Sequence, residues 1–222
     1  MARMLLRGVL IQFLGVASLS CLVIPALAWG QGAGVVADCG NPFENGVGPY
    51  DYRDPVERND HILTVERFHF NSDVQSLRSG QTSAYIMTDL DYVLRAVPNH
   101  HLALAALARY APRRRPQEAH FRRTECYFWR AVTFRPDDPV VRAAYGVYLM
   151  QEGRLDDAEE QYKKALEIDD DYAEAHYNLG LLYVRKGNLE QARLHADKAY
   201  ALGFPLPGLK RKIEQMAQSG KR

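Results

Sequence analysis

Excess charge of either sign is missing from this chain. Its 28 Lys and Arg stand against 27 Asp and Glu over 222 residues, for a formal net charge of +1. Such balance gives no global bias toward nucleic acid or an anionic membrane surface, so nucleic acid is not an expected partner. Cysteine is scarce too, with Cys21, Cys39 and Cys126 only, and nothing beside them suggests metal binding or nucleophilic catalysis. The sequence has no glycine-rich phosphate loop, no nucleophile elbow and no Ser, His and Asp set in recognisable surroundings. Of seven histidines only His100 and His101 are adjacent. Neighbours on a helix point about 100° apart, so they do not share a metal without a third ligand. His100 is expected to begin a helix in a capping or packing role. Asp89 and Asp91 diverge in the same way, and Asp89 is expected to be a helix-start acid. An enzyme would need an unfamiliar site, such as His61 or His69 with Glu66. The expectation is therefore a protein with no catalytic residues, no cofactor and no metal.

Long apolar runs are also missing, apart from one at the start. Arg3 and Arg7 precede an apolar stretch to Ile24, and Pro25-Ala26-Leu27-Ala28 follow. A basic start, an apolar core and small residues at the exit predict a secretory signal over residues 1–28, cut after Ala28. Two alternatives stay open. Residues 9–28 approach the roughly 20 that span a bilayer, so the segment could remain as an anchor. Cys21 could carry a lipid. Export would place Cys39 and Cys126 where oxidation occurs, and they are the candidate disulfide. A loop that long would stabilise by about 4 to 5 kcal/mol in the chain-entropy picture. The alternative is two unpaired thiols.

What is present is a repeat. Residues 139–172 written above 173–206 align at a shift of 34: Gly146 with Gly180, Leu149 with Tyr183, Gly153 with Gly187, Ala158 with Ala192, Ala165 with Ala199. Gly146, Gly180, Ala158 and Ala192 suit close helix crossings. Gly153 and Gly187 suit helix ends with a left-handed residue. Asp156 and Asn188 are expected to take up free amides at the next helix start. Tyr162 and Leu166 continue an apolar stripe that one helix pair cannot bury alone, so neighbours must stack.

A 34-residue unit with this small-residue code resembles the tetratricopeptide repeat. The resemblance implies an all-α, helix-turn-helix solenoid. It divides the chain into a signal (1–28), a partly irregular N-terminal segment (29–55) and N-terminal helices (56–97). A degenerate repeat (101–138), two regular repeats (139–172, 173–206) and a capping helix (207–222) follow. In the degenerate copy Phe128 and Ala131 keep the register of Tyr162 and Ala165. Its first helix is shifted by four, with an insertion at Pro112-Arg113-Arg114-Arg115-Pro116. The N-terminal part is similar to a group of exported bacterial repeat proteins through Gly48-Pro49-Tyr50-Asp51-Tyr52-Arg53, the stretch 91–101 and Glu125-Cys126-Tyr127-Phe128. That likeness implies a periplasmic setting and no chemistry. The repeat resemblance together with the signal leads to the expectation of an interaction scaffold in an envelope assembly or, alternatively, a membrane-anchored accessory subunit held by Cys21 or the uncut signal.

The resemblance further implies that the first helix of each pair lines a groove for a protein or peptide. Carried over by position, its candidates are Val140, Ala143, Val147 and Met150, then Glu174, Tyr177, Asn178, Leu181 and Arg185, with Arg211 and Lys212 on the cap. Tyr177 and Met150 are the expected apolar anchors. Asn178 with Arg211 and Lys212 would suit a carboxylate, or else the asparagine serves a neighbouring backbone group. Between residues 109 and 135 eight arginines face two acids, and between 152 and 174 ten acids face three cations. Read functionally, these are docking zones, with Arg113 to Arg115 meeting anionic lipid. Read plainly, they are solvated helix faces. Oligomeric state is left open.

Overall fold

The computed structural model describes residues 39–114 and 116–219. The signal, Cys21, the start of the irregular segment and Arg115 lie outside the described residues. Among the described residues there are helices and no strands. The chain enters through α1 (Pro55–Glu57), a π-turn (Arg58–Ile62), α2 (Leu63–His69) and α3 (Ser72–Gln75), then α4 (Ile86–Ala96). Three pairs follow: α5 (His101–Tyr110) with α6 (Thr124–Phe134), α7 (Pro139–Gln151) with α8 (Leu155–Ile168), and α9 (Ala173–Arg185) with α10 (Leu189–Ala201). A single helix, α11 (Gly208–Ser219), packs on α9 and α10.

Local chemistry fixes the helix ends. The Asp138 carboxylate accepts the amides of Val140 and Val141, and Pro139 takes the first helical position, where its missing N–H costs nothing. Gly153, Gly187 and Gly203 have φ of +78°, +78° and +83°. That left-handed residue lets the next amide turn back onto the helix it ends: Arg154 to the Leu149 carbonyl at 3.0 Å, Asn188 to Tyr183 at 2.9 Å, and Phe204 to Ala199 at 2.9 Å. Asn188 caps α10, accepting from the Gln191 amide at 3.1 Å. Asp156 does not cap α8, which corrects the expectation. The position equivalent to Asn188 is Arg154, and Asp156 stands in the first turn, exposed, with Lys186 Nζ 2.6 Å from its carboxylate.

The core follows the small-residue frame. Ala158, Ala165, Ala192 and Ala199 are fully buried, as is Tyr162. A Cβ on Gly146 would stand 2.6 to 2.8 Å from the Tyr162 ring, and one on Gly180 would stand 2.5 Å from Leu209 Cδ2. The ring over Gly146 leaves no room for a side chain, whereas the tip of Leu209 over Gly180 can give way. Leu209 is fully buried and Ile213 nearly so, which is how α11 covers the last apolar face. Further back, Ile62, Val65, Phe70, Val74, Met87 and Leu90 continue the same core. Phe68, three residues after Val65, is nevertheless 55% exposed. Phe70, past the end of α2 with φ −143°, turns inward in its place.

Candidate functional site

The first helices of the pairs, α5, α7 and α9, contact one another in sequence and share a hollow of about 250 Å³. Its wall is mostly apolar: Leu102, Ala105 and Ala108 from α5, then Val140, Ala144 and Val147 from α7. Arg109, His101, Tyr172 and Glu174 add polar groups. Leu102 is 52% exposed, an apolar side chain with much of its surface toward solvent.

Of the residues expected on this face, Val140, Val147 and Glu174 line the hollow. Ala143 is buried between helices. Met150 and Leu181 are half-buried, and the Met150 carbonyl accepts from the exposed Arg185 guanidinium. Tyr177 is placed otherwise than expected. It is buried and stacked on Phe204 at 4.3 Å, with its hydroxyl oxygen against Gly208, so its ring secures the cap. Asn178 is also buried, while Arg211 and Lys212 are exposed on α11. Leu102 and Ala105 went unnoticed in the sequence, and Arg109 was assigned only to the arginine-rich zone. With the four-residue insertion counted, a shift of 38 places Leu102 on Val140 and Arg109 on Val147.

Each junction between pairs is held by one glutamate of the preceding second helix. Glu125 on α6 accepts from Tyr145 Oη at 2.8 Å and Arg154 Nη1 at 2.5 Å. Thirty-four residues on, Glu159 of α8 accepts from Tyr183 Oη at 2.9 Å and Lys186 Nζ at 2.6 Å. Partial burial opposes ionisation of Glu159, but hydrogen bonds from Lys163, Lys186 and Tyr183 outweigh it and lower its pKa to about 2. These clasps hold the register of the face on which a ligand would lie.

The N-terminal segment is tied to the array by a polar knot. Asp51 accepts from Arg135 Nε at 2.6 Å and Asn99 Nδ2 at 2.7 Å, and Asn99 Oδ1 accepts the Tyr52 amide at 3.0 Å. Asp138, fully buried, also pairs with His101 Nε2 at 2.8 Å. Burial works against the Asp51 charge, yet the Arg53 amide, Asn99 and Arg135 bring its pKa down to about 2. The hydroxyl of Tyr127 donates to Asp91 at 2.6 Å. The three stretches that suggested the exported group thus meet one another. Cys39 and Cys126, both buried, join the same region with sulfurs 2.08 Å apart and Cα atoms 4.9 Å apart.

His100 caps α5, its Nδ1 accepting the Ala103 amide at 3.2 Å, so Nε2–H is the group that faces Glu66 at 3.1 Å. Burial favours its neutral form, partly offset by Glu66. Glu66 is therefore committed to His100 and does not serve His69. Asp89 stands in the first turn of α4, as expected of a helix-start acid, and it is fully buried and pairs with His69. The arginine-rich stretch is largely used internally. Arg114 donates to the carbonyls of Glu118, Phe121 and Arg122, Arg109 to Gln75, Arg130 to Asn41, and Arg135 to Asp51. Among the described residues no helix is long and apolar enough to cross a membrane.

Comparison with known proteins places the periodic part. A family profile described as TPR repeat matches residues 146–187, and one described as tetratricopeptide repeat matches residues 173–202. A TPR repeat-containing thioredoxin of Arabidopsis thaliana is 38% identical over 66 residues. The matched segment is 30% of this chain and spans only 10% of the length of that relative.

Proposed function

The chain carries tetratricopeptide repeats, and from that premise we propose that it is a non-catalytic scaffold that holds a protein or peptide partner against the α5, α7 and α9 face. One observation carries this reading: the hollow walled by Leu102, Ala105, Val140, Ala144 and Val147, with Arg109 and Glu174 beside it. Apolar walls with a few charged groups suit an extended peptide or a helix that inserts an apolar side chain and pairs a charge at the rim. Leu102→Asp and Val147→Asp should each lower partner capture about ten-fold or more, since a charge in that wall would be desolvated by the ligand. Capture equal to the unaltered protein, with helicity unchanged in both variants, would remove this face from the mechanism.

The same reading places the protein outside the cytoplasm, in the periplasm, within an envelope assembly. Two observations support it: the pattern of residues 1–28 and the approach of Cys39 to Cys126 across 87 residues of sequence. A disulfide there would tie the N-terminal segment to α6. Mass of the protein from its native host tests the first part. Cleavage after Ala28 leaves Trp29 at the N-terminus. An intact leader, or lipid on Cys21, would instead indicate a membrane-anchored accessory subunit. Reductant should lower the melting temperature by several degrees, because the open loop restores denatured-state entropy. An unchanged melting temperature would mean that the thiols are free.

A further inference from the structure

The N-terminal helices hold a second cup of about 280 Å³, lined by residues that the groove reading does not use. Its chemistry begins with Asp89, which is fully buried and surrounded by donors. One carboxylate oxygen accepts the amides of Gln81 at 2.6 Å and Thr82 at 3.1 Å. The other accepts Thr82 Oγ1 at 2.7 Å and faces His69 Nδ1 at 3.1 Å. Every position on Asp89 is used as an acceptor, so the proton between it and His69 sits on Nδ1. His69 itself lines the cup. Stacking on Tyr92 at 3.8 Å pins the ring along the cup.

The rest of the lining is of the same character. Asp60 adds a carboxylate, Thr64 a hydroxyl, and His61 a ring stacked on Tyr50 at 4.4 Å. Phe68 contributes an exposed aromatic surface. No Lys or Arg lines the cup. Arg67 and Arg95 stand over Phe68 and Tyr92, at 5.6 and 5.8 Å, without lining it. Among the described residues no three His, Cys, Asp or Glu are grouped to hold a metal ion. A group that matches the Asp60 carboxylate, the Thr64 hydroxyl and aromatic walls, with the buried Asp89 carboxylate behind His69, must donate several hydrogen bonds and carry positive charge. A primary ammonium does both, with three N–H donors and an attraction to ring faces. We propose that this cup binds a primary ammonium on an alkyl chain, the group shared by a lysine side chain and a free diamine.

Nitrogen-15 spectra of the histidine rings in the full chain test this directly. N-α-acetyl-lysine methylamide and 1,4-diaminobutane are the two probes, and the ε-acetylated lysine derivative is the uncharged control. The His61 and His69 signals should shift saturably with at least one ammonium probe and stay still with the control. Response to the lysine probe alone assigns the site to a protein side chain, and response to the diamine alone assigns it to a free amine. Asp60 is exposed, so Asp60→Asn should leave the fold intact and weaken binding about five-fold or more. Thr64→Val should weaken it less. No shift with either probe, equal binding of the acetylated control, or full affinity in Asp60→Asn would overturn the proposal.

Discussion

In the repeat at 139–172, Tyr162 of the second helix lies over Gly146 of the first; in the repeat at 173–206 the equivalent residue is Ala196, and Leu209 of α11 lies over Gly180 instead. The first repeat fills its own crossing. The second leaves a space that a neighbour must fill, so the small-residue frame sets where helices cross and a separate choice decides which side chain occupies the crossing. The same two repeats differ in a second equivalent pair. Arg142 Nη1 donates to Gln161 Oε1 at 3.2 Å in the first, where the second places His176 and His195 with their Nδ1 atoms 2.9 Å apart. His176 also donates from Nε2 to the Asp170 carbonyl at 2.9 Å, which makes its Nδ1 the acceptor for His195. One repeat therefore carries a cross-helix contact that acid can break, and the other does not.

Removal of the filler should produce the largest effect. Tyr162→Ala should cost about 4 kcal/mol, by a cavity at the centre of the array, and lower the whole denaturation midpoint. Leu209→Ala should cost about 2 to 3 kcal/mol and act mainly on α11, read as faster hydrogen exchange there. Equal global loss in both variants would mean that the two crossings are not filled independently. Glycine substitution should separate the repeats next. Gly146→Ala meets an aromatic ring inside the array and should cost about 2 kcal/mol, whereas Gly180→Ala meets the end of a flexible leucine on a terminal helix and should cost less than about 1 kcal/mol.

A smaller effect follows from pH. Burial, with His176, Lys198 and Lys163 nearby, lowers the pKa of His195 to about 4, below its usual 6.5, while Glu159 and Tyr183 also face the ring. The folded state thus disfavours the protonated ring. Stability from this pair is present above pH 6.5 and is lost as pH falls toward 4, by about 1 kcal/mol once screening of the half-exposed ring is allowed for. His195→Gln, which imitates the first repeat, should flatten the melting curve series over that window. An unchanged pH dependence would refute the assignment. Smallest of all, the Tyr162 hydroxyl is buried with no hydrogen-bond partner among the described residues. Tyr162→Phe should accordingly leave stability unchanged or raise it by up to about 1 kcal/mol in a denaturant titration.

These contrasts also mark what could be read from the chain alone. Gly153 and Gly187 were legible because a left-handed helix end is a property of one residue and its neighbours. The 34-residue frame was legible because the same small residues recur. Asp156 misled because a short acid near a helix start suggests a cap, whereas alignment with Asn188 assigns that position to Arg154. Tyr177 misled because its partners, Phe204 and Gly208, belong to a connection and a cap that periodicity does not describe. Leu102 was hidden by the insertion that shifts α5 by four. Glu125 and Glu159 stood in register at 34 throughout, but matching apolar and small positions passes over acids. The Asp51 and Arg135 bridge joins residues 84 apart, and no local pattern announces it.

The central claim is that the α5, α7 and α9 face holds the partner, and site-specific photo-crosslinking tests it most directly. One photoreactive residue would replace Leu102, on that face, and another would replace Leu194 on α10, which is 47% exposed and outside the hollow. The account predicts a single defined adduct from position 102 in the native host, absent from position 194 and lost when Val147→Asp is added. The same adduct from both positions, or one at 102 that survives Val147→Asp, would contradict it.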